Sequence, residues 1–398
     1  MKSLIAITIF GSLAFAGCES KKSDEESAVN VTSVAHSKTV KQQTINNCWI
    51  YAMASWFESL HLSTGNGEVD VSESYWAYWH WYDELAWSPD GNTHARKKLE
   101  EGGGFHLGAK IVKKYGWVTE GEFIPAETDA VASQRQACAL EYVKDQLEVG
   151  GALHYSSFED RKIVRSHETV IEVLNKAFTC GDEANGIDGE LVRNTYGKSA
   201  DETLLKMPGQ SSAISLTAMY DEWEVHQPAG SLDSASSKML PIEKDQKYYD
   251  AAALAIRRAL NDHMPVVIGF NLDFNAVNES NGMFDLNTYA KVGDNTKAAH
   301  MIVLSDYTVK NAAGFGVLGE GELTPEQKEA ALSADLQYLV AKNSWGTAQS
   351  RDNRPWIGDG YSRLTWDYLT KGFVDESQPF TPMITAIVLP KSYKIDLR

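Results

Sequence analysis

Cysteine is scarce in this chain: four in 398 residues, at positions 18, 48, 138 and 180. None stands in a CxxC pair or at a Cys/His spacing that suits zinc, and the ten histidines include no HExxH. Neither a metal site nor a cofactor is therefore expected. Basic residues are few as well, 37 Lys and Arg against 54 Asp and Glu, for a net charge of −17 and a pI near 5.1. Phosphate binding needs clustered positive charge, so a nucleic-acid partner is not expected. The apolar run near the N-terminus, Leu4 to Phe15, is too short for an ordinary membrane-spanning helix.

What is present describes a globular protein. A hydrophobic fraction of 43% with 11 Trp and 17 Tyr allows a large core, built as one domain or two. The acidic excess reads as a solvated surface that keeps the chain soluble.

The first residues have the form of an export signal: Met1-Lys2, the apolar run, then Ala16-Gly17-Cys18. Ala-Gly-Cys resembles a bacterial lipobox, with Phe15 where Leu is usual. On that resemblance residues 1–17 are a signal peptide and Cys18 is the lipidated N-terminus of the mature, envelope-bound protein. A plain cleaved signal with an incidental cysteine is the alternative. Residues 18–40 are Ser-, Lys- and Glu-rich and poor in large apolar groups, so they read as a flexible tether. Residues 41–398 form the folded domain.

That domain opens on Gln42-Gln-Thr-Ile-Asn-Asn-Cys48-Trp, where a turn-prone polar run meets an apolar helical pattern through Trp49, Met53, Trp56, Phe57 and Leu60. A thiol at a helix start faces unpaired N–H groups and the positive end of the dipole, which favours thiolate and makes Cys48 a candidate nucleophile. The aromatic run Tyr75, Trp76, Tyr78, Trp79, Trp81, Tyr82 reads as core, with a binding stripe as the alternative. Gly102-Gly103-Gly104 is a backbone-exposing turn ahead of a short helix, Leu107 to Tyr115.

Residues of about 126–244 change character. Amphipathic helices at Gln136–Leu147 and Glu168–Phe178 lie among polar loops, as in a large, mainly helical insertion. Cys138 and Cys180 lie within it, and an exported chain allows a disulfide between them, two buried thiols being the alternative. The remainder reads as a helix, Asp250–Leu260, followed by strands at Pro265–Asn271, Met301–Ser305, Tyr338–Lys342 and Met383–Leu389. Thr324-Pro325-Glu326-Gln327 is a capping-box start for a surface helix among them. Strands with long connections indicate an antiparallel sheet or half-barrel.

A thiol enzyme needs a base and a group that orients it. Gln42…Cys48-Trp49, Ala299-His300-Met301 and Lys342-Asn343-Ser344-Trp345-Gly346 together resemble the papain-like cysteine peptidases, in that family's chain order. Cys-Trp-Ile-Tyr-Ala, Val71-Ser-Glu-Ser-Tyr-Trp, Gly102–Phe105 before Lys-Tyr-Gly, and the helical insertion resemble its bleomycin hydrolase branch. The resemblance implies an α+β, two-lobed fold: an N-terminal helical lobe facing a C-terminal antiparallel β half-barrel, with no folded pro-domain between anchor and Cys48.

It also implies roles. Cys48 is the nucleophile, His300 its base, and Asn343 the orienting acceptor. Trp345 shields the His–Asn bond, and Gln42 is an oxyanion donor, with Gln43 as adjacent competitor. Gly102, Gly103 and Gly104 line the substrate cleft. Asn46 stands where the family pattern has glycine, and Asn is a common non-glycine residue at positive φ, so the same turn is expected there. Asn47 is expected on the cleft floor. The implied activity is hydrolysis of peptide or protein substrates through an acyl-enzyme. Acyl transfer or amide hydrolysis on a cell-wall substrate, and a non-catalytic binding lipoprotein, are the alternatives. If Cys18 carries the anchor, Cys18→Ala protein is recovered in the soluble fraction after cell lysis; membrane association equal to wild type contradicts the anchor.

Overall fold

The computed structural model describes residues 34–91, 93–228, 245–278, 280–288, 298–347, 359–371 and 382–395. Residues 1–17, expected to be a signal peptide, and Cys18 lie outside the described residues. Helix α1, Cys48–Ser63, begins at the cysteine as its apolar pattern predicts. It is buried almost all round from Cys48 to Leu60, Glu58 and Ser59 included, because it lies between other elements on most of its surface. Helix α2, Glu73–Leu85, starts where the Ser72 side chain accepts the Tyr75 N–H at 3.1 Å. Its rings are core: Tyr75, Trp76, Tyr78, Trp79 and Trp81 are all buried. Helix α3, Phe105–Tyr115, follows the glycines.

The stretch read as an insertion is not a separate body. It carries α4 (Glu120–Phe123) in its approach, then α5 (Gln134–Leu147), α6 (Phe158–Val164), α7 (His167–Thr179), α8 (Gly189–Tyr196) and α9 (Leu216–Asp221). Two-residue strands β1 (Leu204–Leu205) and β2 (Ile214–Ser215) pair antiparallel within it, and β3 (Trp223–His226) leaves it to join the main sheet. Leu140, Val143, Val170, Leu174 and Phe178 share one core with Trp56, Tyr78 and Trp79. Cys138 and Cys180 are bonded, Sγ–Sγ 2.02 Å, tying α5 to the end of α7.

After α10 (Asp245–Asn261) comes most of the sheet: β4 (Val266–Leu272), β5 (Met283–Phe284), β6 (Ala298–Ala312), β7 (Gly316–Leu318), β8 (Asp335–Lys342), β9 (Tyr361–Thr365) and β10 (Ile384–Pro390). The capping box of α11 (Pro325–Leu332) forms as read, and α12 is Trp366–Lys371. The strand order is β3-β10-β4-β6-β8-β9-β5, with β7 on β6. The described pairs of this sheet are antiparallel except β5 with β9. The architecture is therefore mixed α+β around one large sheet.

The sheet separates two cores because successive side chains on a strand point to opposite faces. Val267, Val303 and Val388 join the helical core. Their neighbours Val266, Ile268, Ile302, Leu304, Ile387 and Leu389 join a second core with α10. Strand β6 begins earlier and runs longer than its apolar residues suggested, so His300 sits inside it and not ahead of it.

Two further differences concern the start of the domain. The last part of the expected tether is packed: Val34, His36 and Ser37 are buried. The Val34 N–H donates to the Ser305 carbonyl at 3.1 Å, and Lys342 Nζ donates to the Ser37 carbonyl at 3.1 Å. Low apolar content misread this segment because it is held by polar bonds to the strands beneath. Around it lies a buried set of charges: Lys41 bonds Asp70 at 3.0 Å, and Glu58, Glu73, Glu120 and Lys342 are all buried nearby. Burial pushes the Glu58 carboxyl up to about 7 and that of Glu120 up to about 8.

A carboxyl raised in the folded state contributes stability that is full below its unfolded value of 4.5 and is lost as pH climbs through 7 to 8. Denaturant titrations should therefore show stability falling from pH 5 to pH 9, and Glu120→Gln should shrink that fall. A Glu120→Gln protein with the wild-type slope contradicts the assignment.

Candidate active site

Helix α1 lies across β6, which brings the start of the one to the start of the other. Cys48 is the free thiol among the described residues and is buried, and its Sγ lies 4.0 Å from the Ala299 carbonyl oxygen. No hydrogen bond joins it to His300 in this resting geometry. The thiol was expected to be acidified by the helix start. Instead burial pushes its pKa up, against smaller opposing contributions from the N–H groups of Met301, Trp49 and Cys48 itself. The helix terminus is where it was read, but desolvation outweighs it.

His300 is better defined. Strand β6 places it opposite Phe270 of β4, and its ring lies flat against Trp345, centroids 4.9 Å apart and planes 21° from parallel. The Phe270 ring meets it edge-on at 5.6 Å. This aromatic cage removes water, and desolvation drops the imidazole pKa to about 4 although the bond to Asn343 opposes the shift. His300 Nε2 and Asn343 Oδ1 are 2.8 Å apart.

The amide of Asn343 cannot be the other way round. Its Oδ1 also accepts the Ser344 N–H at 2.7 Å, and its Nδ2 donates to Ser362 Oγ at 2.8 Å. An acceptor at Oδ1 forces Nε2 to carry the proton, which leaves Nδ1 with a free lone pair to act as base. Ser362 was not singled out from sequence. Its position two residues after Gly360 on β9 was the available signal.

The loop ahead of Cys48 departs from expectation. Asn46 is not among the four non-glycine residues with positive φ in the described chain, so the glycine-like turn is not formed there. Asn46 keeps ordinary backbone because its N–H is held by Glu101 Oε2 at 3.1 Å. Asn47 is not on the cleft floor; it is buried, and its Nδ2 donates to Gln136 Oε1 of α5 at 2.8 Å.

The Gln43 amide is occupied, its Nε2 on the Ile45 carbonyl at 3.0 Å and its Oε1 accepting from Ser344 Oγ at 2.6 Å. The backbone N–H of Gln42 is tied to the Val131 carbonyl at 2.7 Å, while its side chain makes no hydrogen bond among the described residues. Neither glutamine lines the cleft that holds Cys48.

That cleft, about 580 Å³, is lined by Cys48, His300 and the turn Gly102–Gly104 on one side. Strand residues Gly269, Asn271, Thr385 and Ala386 and the insertion's Val225 and Gln227 form the other. All three glycines face it, but only Gly103 is required by packing: a Cβ there would lie 2.5 Å from the Trp49 ring. None of the three has positive φ. The Trp49 indole N–H, donating to the Glu101 carbonyl at 2.9 Å, holds this turn beside the nucleophile's helix. A larger cavity, about 810 Å³, lies away from Cys48 around Asp250, Asp285, Asp335 and Asp367. Its described lining contains no cysteine or histidine, whereas that of the smaller cleft contains both.

Among the described residues no group of His, Cys, Asp and Glu is placed to hold a metal, and no helix is long and apolar enough to cross a membrane. No protein-family model matches the chain, and no curated protein matches it. Solved structures with a similar backbone include PepW from Lactobacillus rhamnosis, at 14% identity, 91% of this chain, 82% of that chain and TM-score 0.46. SERA5E from Plasmodium falciparum follows at 13%, 88%, 88% and 0.38, and recombinant stem bromelain precursor at 14%, 90%, 67% and 0.29. With each TM-score below 0.5, the reading of the site rests on the chain's own geometry.

The cage sets a test for the histidine. In NMR titration His300 should stay neutral down to about pH 4; a transition near the ordinary value of 6.5 contradicts a water-excluded ring.

Proposed function

We propose that this chain is a cysteine-type peptidase of papain-like fold, closest in form to the bleomycin hydrolase branch, acting on peptide or protein substrates. One observation carries the reading. His300, with its tautomer fixed by Asn343 under Trp345, shares a cleft with the free thiol Cys48 at the start of a helix. On this proposal the helical core and the sheet core are the two lobes, and the cleft runs between them.

The chemistry follows from the protonation states. Both groups rest neutral, so the thiol proton passes to His300 Nδ1 as sulfur attacks the peptide carbonyl. The imidazolium is held through Nε2–H on Asn343. The developing oxyanion accepts from the Cys48 backbone N–H, which has no intrahelical partner at the first turn; Gln42, uncommitted but outside the cleft lining at rest, joins as second donor only by turning its side chain inward when substrate binds. His300 then returns the proton to the departing amine, leaving a thioester on Cys48. It next takes a proton from water as that water attacks, and Cys48 is released with the new carboxyl product.

Gly102–Gly104 offers exposed backbone along which an extended peptide can lie. Anchoring through a lipidated Cys18 to a bacterial envelope membrane is part of the same proposal, motivated by Ala16-Gly17-Cys18.

Cys48→Ala should abolish peptide hydrolysis and labelling by an epoxide thiol inhibitor; either persisting overturns the proposal. Gln42→Ala should lower kcat by about 10²–10³, the usual loss for one oxyanion donor. An unchanged kcat removes Gln42 from the site. Products that show transfer to an added amine in preference to water would move the reading to acyl transfer.

A further inference from the structure

Asn is among the best helix-capping residues, because its side chain can accept an N–H of the first turn. Asn47 holds the capping position of α1 and does not cap: its side chain makes no bond to the helix. It is turned away, and its Nδ2 donates to Gln136 Oε1 at 2.8 Å. Gln136 is itself fully buried and fixed, its Nε2 donating to Ser74 Oγ at 2.9 Å and its N–H to Ser133 Oγ at 3.2 Å. The same edge of the insertion holds other parts of the nucleophile loop. Thr44 Oγ1 donates to the Ser133 carbonyl at 2.9 Å, and the Gln42 N–H donates to that of Val131. Glu101 holds the Asn46 N–H and pairs with Lys144, also of α5, at 3.3 Å.

We infer that Gln136 is a positioning residue of the active site: by holding the Asn47 side chain it keeps the Trp49 N–H uncapped and open to the Cys48 sulfur, the Ile50 N–H being already bonded to the Asn47 carbonyl at 2.9 Å. This rests on the reading of Cys48 as a nucleophile and gives the insertion a task within it. Were Asn47 released, its Oδ1 would compete for the Trp49 N–H. A cap bond would then form at the expense of the anionic species that the helix start stabilises. Glycine at position 46 is not needed in this arrangement, because Glu101 fixes Asn46 and Gln136 fixes Asn47.

The test is the rate at which Cys48 is alkylated by iodoacetamide at fixed pH, which reads the thiol whether or not the chain hydrolyses peptides. Gln136→Ala should slow alkylation by roughly fivefold or more, the scale of one competing cap bond. Adding Asn47→Ala should recover most of that loss, since no capping side chain then remains. If the double variant is slower than Gln136→Ala alone, the role is structural and the inference fails.

A second pair leaves α5 untouched and covers a Gln136→Ala protein that does not fold. Asn47→Ser, too short for Gln136 yet able to cap, should react about fivefold more slowly than Asn47→Ala. Equal rates overturn the inference. Wild-type Cys48 alkylation without any peptide hydrolysis would count against the peptidase reading and leave this comparison intact.

Discussion

The antiparallel pairing of β6 with β8 is the constraint on which the site depends. Its register sets Val303 against Lys342, so His300, upstream on one strand, and Asn343, just past the end of the other, meet at 2.8 Å. The side-chain period of a strand is two, so a slip of one residue would turn the imidazole to the wrong face. Everything else at the base follows from that pairing. Ser344 and Ser362 commit the amide of Asn343, Trp345 and Phe270 exclude water, and the lone pair is left on Nδ1.

Burial then sets the electrostatics. The same cage that protects the His–Asn bond lowers the imidazole pKa, and the same burial raises the thiol. The two groups therefore rest neutral, and on the proposed mechanism charge is created only as the proton moves between them. Preorganised N–H groups at a helix start matter most in that situation, since they act on charge that develops during reaction. On the inference drawn above, the insertion keeps the Trp49 N–H open. It is continuous with the helical core and fixes the loop in front of Cys48 at Gln42, Thr44 and Asn47.

The parts legible in the sequence were the locally encoded ones. The helix at Cys48, the capping box before α11 and the aromatic core of α2 follow from short patterns, whereas the meeting of His300 with Asn343, 43 residues on, was reached only through the resemblance to a known family. Long-range polar contacts were not legible. The Asn47–Gln136 bond joins residues 89 apart, and that of Asn46 with Glu101 joins residues 55 apart. A glutamine in an amphipathic helix gives no sign of which partner it will find. The state of the thiol was misread for a related reason: a helix start is visible in sequence, while the depth at which tertiary packing buries it is not. The segment from Val34 looked like tether because its fixing contacts come from Ser305 and Lys342, far along the chain.

The central claim is that Cys48 forms a covalent acyl intermediate that His300 helps to make and to break. Rapid-quench intact-mass analysis of the protein with an activated peptide ester tests it most directly. An activated ester needs no protonation of its leaving group, so acylation depends less on His300 than deacylation does: a transient adduct of one acyl group, mapped to Cys48, is expected to decay in the wild-type protein and to persist in His300→Ala. Ester turnover with no adduct at Cys48, or with the adduct on another residue, contradicts it.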